Sequence, residues 1–145
     1  MPRHNGNNIL TGGSGNDVLY GLGGNDTFWA QYGADYVEGG SGNDFIEGGN
    51  GADTLFGGEG VDFVYGSTGD DTVDGGSGND VLSGGIYGTL TETTSGSNDW
   101  AFTPDATWSY LDDGDDTIEG GYGDDTFIAW FGDDEITVGG DVVQD

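Results

Sequence analysis

The sequence predicts an all-β fold: a right-handed parallel β-roll, a solenoid in which short strands alternate with glycine-rich bends. Three observations predict it. A nine-residue line, G-G-x-G-x-D-x-U-x with U a large apolar residue, recurs along most of the chain. Its sixth place carries aspartate in line after line. Its eighth place carries an apolar side chain even where the glycines are lost.

The lines run in order from Gly12 as "GGSGNDVLY", "GLGGNDTFW", "AQYGADYVE", "GGSGNDFIE", "GGNGADTLF", "GGEGVDFVY", "GSTGDDTVD" and "GGSGNDVLS". The sixth place holds Asp17, Asp26, Asp35, Asp44, Asp53, Asp62, Asp71 and Asp80, and a degenerate earlier line puts Asn8 there. The eighth place holds Leu10, Leu19, Phe28, Val37, Ile46, Leu55, Val64, Val73 and Leu82. After an irregular stretch the register returns in "LDDGDDTIE", "GGYGDDTFI" and "AWFGDDEIT", with Asp116, Asp125 and Asp134 over Ile118, Phe127 and Ile136.

Each place has a physical role. The three residues x-U-x form a minimal strand, with U pointing to one face and its neighbours to the other. The six residues G-G-x-G-x-D form the bend, where glycine supplies positive φ and lets backbone approach closely. A bend after every strand gives two strands per circuit, so the coil repeats every 18 residues. Successive coils stack at about 4.8 Å. The U side chains of two facing sheets meet in a core of one apolar residue per line. So thin a core does not offset the entropy of ordering glycine-rich chain. Something must hold the bends.

Composition narrows what that is. The 145 residues carry 28 acidic groups against one Arg and no Lys, a formal charge of -27. Such a surface repels nucleic acid and anionic membranes, whose partners need basic residues. No cysteine is present, which removes disulfides and thiolate zinc sites. No apolar run is long enough to insert in a membrane, and "MPRHNGNN" lacks the apolar stretch of a cleaved export signal. Aromatic residues at 12% argue against a disordered acidic tail. No carboxylate is paired with a basic partner or nucleophile in a way that suggests an enzyme.

The natural partner of stacked carboxylates is a hard multivalent cation. In an 18-residue coil, Asp17, Asp35, Asp53 and Asp71 line one edge, and Asn8, Asp26, Asp44, Asp62 and Asp80 the other. An ion between consecutive members cancels like charge that otherwise repels across a strand spacing. Calcium accepts six to eight oxygens in loose geometry, whereas magnesium gives up water reluctantly. About eight to ten ions, one per adjacent pair of well-formed bends, would neutralise most of the charge.

The quoted lines resemble the repeats-in-toxin (RTX) nonapeptide family over residues 4 to 83 and 111 to 137. That resemblance implies a calcium-bound parallel β-roll, with Ca²⁺ held between bends by the sixth-place side chains, Asp116, Asp125 and Asp134 among them. It also implies ligation by backbone carbonyls of the first four places. In the best-formed lines these are Gly12, Gly13, Ser14 and Gly15; Gly39, Gly40, Ser41 and Gly42; Gly48, Gly49, Asn50 and Gly51; Gly57, Gly58, Glu59 and Gly60; and Gly75, Gly76, Ser77 and Gly78. The family further implies a bacterial extracellular setting, secreted or at the cell surface. There the chain folds on meeting calcium and supports secretion or stability of a secreted protein. The acidic, aliphatic end "ITVGGDVVQD" is similar to a type I secretion signal, which makes that machinery a candidate partner. The alternative is a calcium-dependent surface, self-assembly or adhesion module that self-associates.

Three places depart from the pattern and predict weaker sites: Asn8, the line opening Ala30–Gln31, and the line opening Ala129–Trp130. Fifth-place Asp70, Asp115, Asp124 and Asp133 are expected to face solvent. The expected organisation is one structural domain: a roll over 1–85, an irregular aromatic insertion over 86–113, and closing lines with a cap over 114–145. Asp80 and Asp116 lie 36 residues apart, four lines, so the insertion either preserves the phase or matches it by coincidence. Trp100, Phe102, Trp108 and Tyr110 predict a flap folded over outward-facing Trp29, Phe45 and Phe63, the alternative being that this stripe stays exposed as a docking surface.

Overall fold

The computed structural model describes residues 5–85, 88–92, 100–104, 116–124, 126–128 and 135–137. They form strands and bends with no helix. The strands are β1 Ile9–Ser14, β2 Val18–Gly23, β3 Thr27–Tyr32, β4 Tyr36–Ser41, β5 Phe45–Asn50, β6 Thr54–Glu59, β7 Phe63–Thr68, β8 Thr72–Ser77, β9 Val81–Ser83, β10 Gly88–Glu92, β11 Trp100–Pro104, β12 Thr117–Tyr122, β13 Thr126–Ile128 and β14 Glu135–Thr137.

Alternate strands feed opposite faces of the roll. One parallel sheet has the order β1-β3-β5-β7-β9-β13, the other β14-β12-β8-β6-β4-β2. Paired residues are separated by one circuit, as in Leu10 with Phe28, Phe28 with Ile46, and Val37 with Leu55. The eighth-place side chains therefore stack inward. Phe28, Val37, Ile46, Leu55, Val64, Val73, Leu82 and Ile118 are fully buried, with Leu10, Leu19 and Phe127 packed against them. Ile136, in edge strand β14, is 40% exposed and does not join that core.

The strands are twice as long as the sequence predicts. They run six residues, x-U-x-G-G-x, and the bend shrinks to G-x-D. The leading glycines belong to the ladder because their backbone kinks without leaving it: Gly13 still pairs with Gln31 and Ser14 with Tyr32. The kink is a positive φ at the second place, where Leu22 (78°), Gln31 (84°) and Ser67 (93°) take the conformation glycine prefers. Fourth-place residues from Gly15 to Gly123 also have φ between 103° and 139°, and all are glycine. A side chain there would strike the carbonyl of the equivalent glycine one circuit earlier, as Gly78 would strike Gly60.

The insertion resolves the question of phase. Strand β12 pairs with β8 through Thr117 and Thr72, and β13 pairs with β9 through Thr126 and Val81. Asp116 thus stacks on Asp71, and the offset grows from 18 to 45 residues across this step. The roll skips three lines of chain and resumes in register. Within the skipped chain, β10 and β11 form a separate antiparallel ladder, Gly88 opposite Pro104. Trp108, Tyr110, Asp115, Asp125, Trp130, Asp133 and Asp134 lie outside the described residues.

Candidate metal centre

Each three-residue bend ends on its sixth-place residue, whose side chain is held by the circuit before it. The backbone N–H of Asp17 donates to Asp35 Oδ1 at 2.7 Å, and that of Asp35 to Asp53 Oδ1 at 2.8 Å. The same bond runs from Asp53 to Asp71 and from Asp71 to Asp116, each at 2.8 Å. On the other edge it runs from Asn8 to Asp26 and Asp26 to Asp44, both at 2.7 Å, then Asp44 to Asp62 and Asp62 to Asp80, both at 2.8 Å. The two columns are those the 18-residue coil predicts, with Asp116 added to the first. Asn8 also donates from its side-chain amide to Asp26 Oδ1 at 3.1 Å.

One carboxylate oxygen is satisfied by this ladder and the other is not. Oδ2 of Asp17, Asp26, Asp35, Asp44, Asp53, Asp62 and Asp71 is buried and accepts no hydrogen bond. A buried ionised oxygen without a partner is costly, and a hard cation is the partner that removes the cost. Burial raises the carboxyl pKa of Asp44 and Asp53 to about 6, Asp62 to about 7 and Asp71 to about 8. In each the donated backbone N–H opposes the rise and neighbouring carboxylates add to it. Asp35 is raised for the same reasons.

The unsatisfied oxygens face notches kept open by first-place glycines. A Cβ on Gly57 would lie 2.6 Å from both Asp62 Oδ2 and the Gly75 carbonyl oxygen. One on Gly12 would meet the Ala30 carbonyl at 2.6 Å and Asp17 Oδ2 at 2.9 Å. On Gly75 it would meet Asp80 Oδ2 at 2.6 Å and the Gly120 carbonyl at 2.9 Å. A carboxylate oxygen from one line and a carbonyl from the next circuit therefore converge. Among the described residues Ala30 is a first-place residue with a methyl group, and it is fully buried in the core.

The other backbone carbonyls divide by place. Third-place carbonyls of Ser41, Asn50, Glu59 and Ser77 accept N–H bonds from Gly24, Gly33, Gly42 and Gly60 at 2.8 to 2.9 Å. Second-place carbonyls of Gly40, Gly58 and Gly76, and fourth-place carbonyls of Gly15, Gly42, Gly51, Gly60 and Gly78, face the equivalent glycine one circuit later. Among the described residues, no three acidic or histidine side chains gather at one point. The donor set is therefore carboxylate plus carbonyl, all oxygen, which suits calcium and fits no soft metal.

A second ladder was not read from the sequence. Fifth-place Asn16 accepts the Ala34 N–H at 3.0 Å, Asn25 that of Asn43 at 3.0 Å, and Asn43 that of Val61 at 3.0 Å. Asn7 serves Asn25 at 2.9 Å, and Asn79 serves Asp124 at 3.0 Å. The signal was the recurring "ND" pair, whose first letter looks like ordinary turn preference. Asp70 and Asp124 face solvent as expected.

The RTX calcium-binding nonapeptide repeat matches this chain four times, over residues 4–31, 29–64, 56–86 and 110–142. The chain belongs to the RTX family. Its repeats bind calcium, and the buried oxygens and glycine notches of this RTX roll fit that ion. No curated protein and no solved structure matches the chain.

Proposed function

We propose that the RTX roll is a module that folds only as calcium fills its bends. The observation that carries this reading is the run of buried, unpartnered Asp Oδ2 atoms from Asp17 to Asp71. In the unfolded chain the sites do not exist, so binding free energy becomes folding free energy. Asp17, Asp35, Asp53, Asp71 and Asp116 hold ions along one edge, and Asn8, Asp26, Asp44, Asp62 and Asp80 along the other. Asp125 and Asp134 continue the array. First-place carbonyls such as Gly39, Gly57 and Gly75 share these ions, about eight to ten in all. The Ala30–Gln31 line and Asn8 bind more weakly, the first through a filled notch and the second through a neutral oxygen.

The setting that suits this device is outside a bacterial cell, where calcium is abundant. The chain leaves extended and acidic through a type I secretion channel, then winds up. Its role is structural and not enzymatic. Far-UV circular dichroism during a calcium titration tests the reading. A cooperative gain of β signal with calcium and not with magnesium is expected; a complete roll in chelator, or an equal response to magnesium, overturns it.

The skipped segment 86–113 acts as a flap over the Phe63 end of the Trp29–Phe45–Phe63 stripe, Trp29 itself being 39% exposed, within one structural domain of 1–145. Support comes from outward-placed Phe63 and Ser83, only 4% and 2% exposed. Phe63 stacks on Phe45 at 5.4 Å, and Phe45 meets Trp29 in a tilted contact at 5.3 Å. Shielding of tryptophan fluorescence from acrylamide is expected in the calcium form; free quenching of all four tryptophans counts against the flap.

A further inference from the structure

Strands β3, β5 and β7 carry a cleft whose side chains are distinct from the sixth-place side chains and backbone carbonyls assigned to calcium. It has a volume of about 250 Å³ and is lined by Gln31, Tyr32, Glu47, Gly49, Asn50 and Ser67. Three circuits contribute, since Gln31, Gly49 and Ser67 are the second-place residues of successive strands β3, β5 and β7.

Two of these residues are costly choices. Gln31 and Ser67 hold φ values of 84° and 93°, a region where glycine carries no penalty and other residues do. Glycine fills the same place in most other circuits, including Gly49 between them. Only three described non-glycine residues adopt positive φ, and two of them line this one cleft. Retained strain of this kind concentrates where side chains serve a ligand.

The chemistry of the lining is mixed. Thr68 Oγ1 donates to Asn50 Oδ1 at 2.8 Å, so the amide's N–H groups, not its oxygen, are left to serve a ligand. Gln31 brings a second amide and Ser67 a hydroxyl, while Glu47 brings a two-oxygen acceptor. Tyr32, 61% exposed, forms an aromatic wall. The Glu47 carboxylate in the lining disfavours an anionic ligand. A simple cation would use Glu47 and leave the amide donors idle. Vicinal hydroxyls use both, donating to the carboxylate and accepting from the amides, and a sugar ring presents C–H groups to an aromatic face.

We propose that this cleft binds a neutral saccharide, one pyranose ring lying against Tyr32 with its hydroxyls shared among Glu47, Gln31 and Asn50. The calcium-loaded full chain is titrated with maltose, cellobiose, lactose and chitobiose at millimolar concentrations by calorimetry, with spermidine as the cationic comparison. Saturable binding of at least one disaccharide is expected. Gln31→Gly and Tyr32→Ser should each weaken it about tenfold or more through loss of a hydrogen bond or the aromatic wall. Gln31→Gly restores the family's own residue at a strained position, so its calcium-induced β signal verifies that the roll is intact. The proposal is overturned if no disaccharide binds, if both variants bind as the parent does, or if spermidine alone binds.

Discussion

Two ladders of side chains climb the bends side by side, and they differ in what they need. In the fifth-place ladder Asn43 is neutral, accepts one N–H from Val61, and leaves no buried charge behind. In the sixth-place ladder Asp62 accepts an equivalent N–H from Asp44, yet its second oxygen is buried without a partner. The two bonds run in opposite directions along the roll, Asn43 accepting from the circuit after it at 3.0 Å and Asp62 from the circuit before it at 2.8 Å. What decides their need for a partner is the second, charged oxygen of the carboxylate. The comparison teaches that the Asn ladder helps to hold the circuits in register by itself, whereas the Asp ladder is incomplete as protein alone.

Substitution across the two ladders gives the sharpest test. Asp62→Asn keeps an oxygen for the Asp44 N–H and deletes the charge. Calcium affinity at the adjoining sites should fall about tenfold, with fewer ions bound in a calorimetric titration. If the calcium midpoint stays put, the unpartnered Oδ2 atoms are not ligands and the contrast between the ladders collapses.

Acidity separates the ladders next, because only one of them titrates. Carboxyl pKa values of about 6 for Asp44 and Asp53, 7 for Asp62 and 8 for Asp71 lie above the ordinary 3.8. Groups raised on folding add stability that is fully present below the ordinary value and lost as pH rises through the raised ones. In chelator, residual β signal should therefore be greatest near pH 4 and fade by about pH 8. With calcium present the trend reverses, since protons compete for the same oxygens, and the midpoint concentration should climb as pH drops. A metal-free roll that strengthens toward neutral pH would contradict the burial assigned to these carboxyls.

The smallest effect belongs to the neutral ladder. Asn43→Ala removes the acceptor of the Val61 N–H and should cost about 1 kcal/mol in denaturant titrations of the calcium form. The number of bound ions should not change. A loss of ions in that variant would make the fifth place part of the metal shell.

Much of this was legible because the repeat exposes it. The eighth-place column from Phe28 to Ile118 and the two Asp columns follow from a period of nine and a circuit of two strands. Strand length was not legible. The first two glycines read as bend material, yet Gly13 pairs across to Gln31, because a kink at positive φ does not end a parallel ladder. The strain at Leu22 and Ser67 escaped notice for the same reason, since each looked like a tolerated variation in a bend. The Asn ladder was hidden by chemistry: asparagine before aspartate is common in any turn, and only stacking turns it into a bond between circuits. The step from Asp71 to Asp116 was out of reach, as Asp80 to Asp116 also spans whole lines.

That step carries a consequence of its own. Strands β8 and β12 stack as consecutive rungs of one sheet although much intervening chain has been set aside between them. Stacking recognises neighbours by shape, without regard to how much polypeptide joins them. The seam between Gly84 and Asp116 is therefore a natural splice point, where a guest domain with closely spaced ends can be installed while the spring on either side continues to wind.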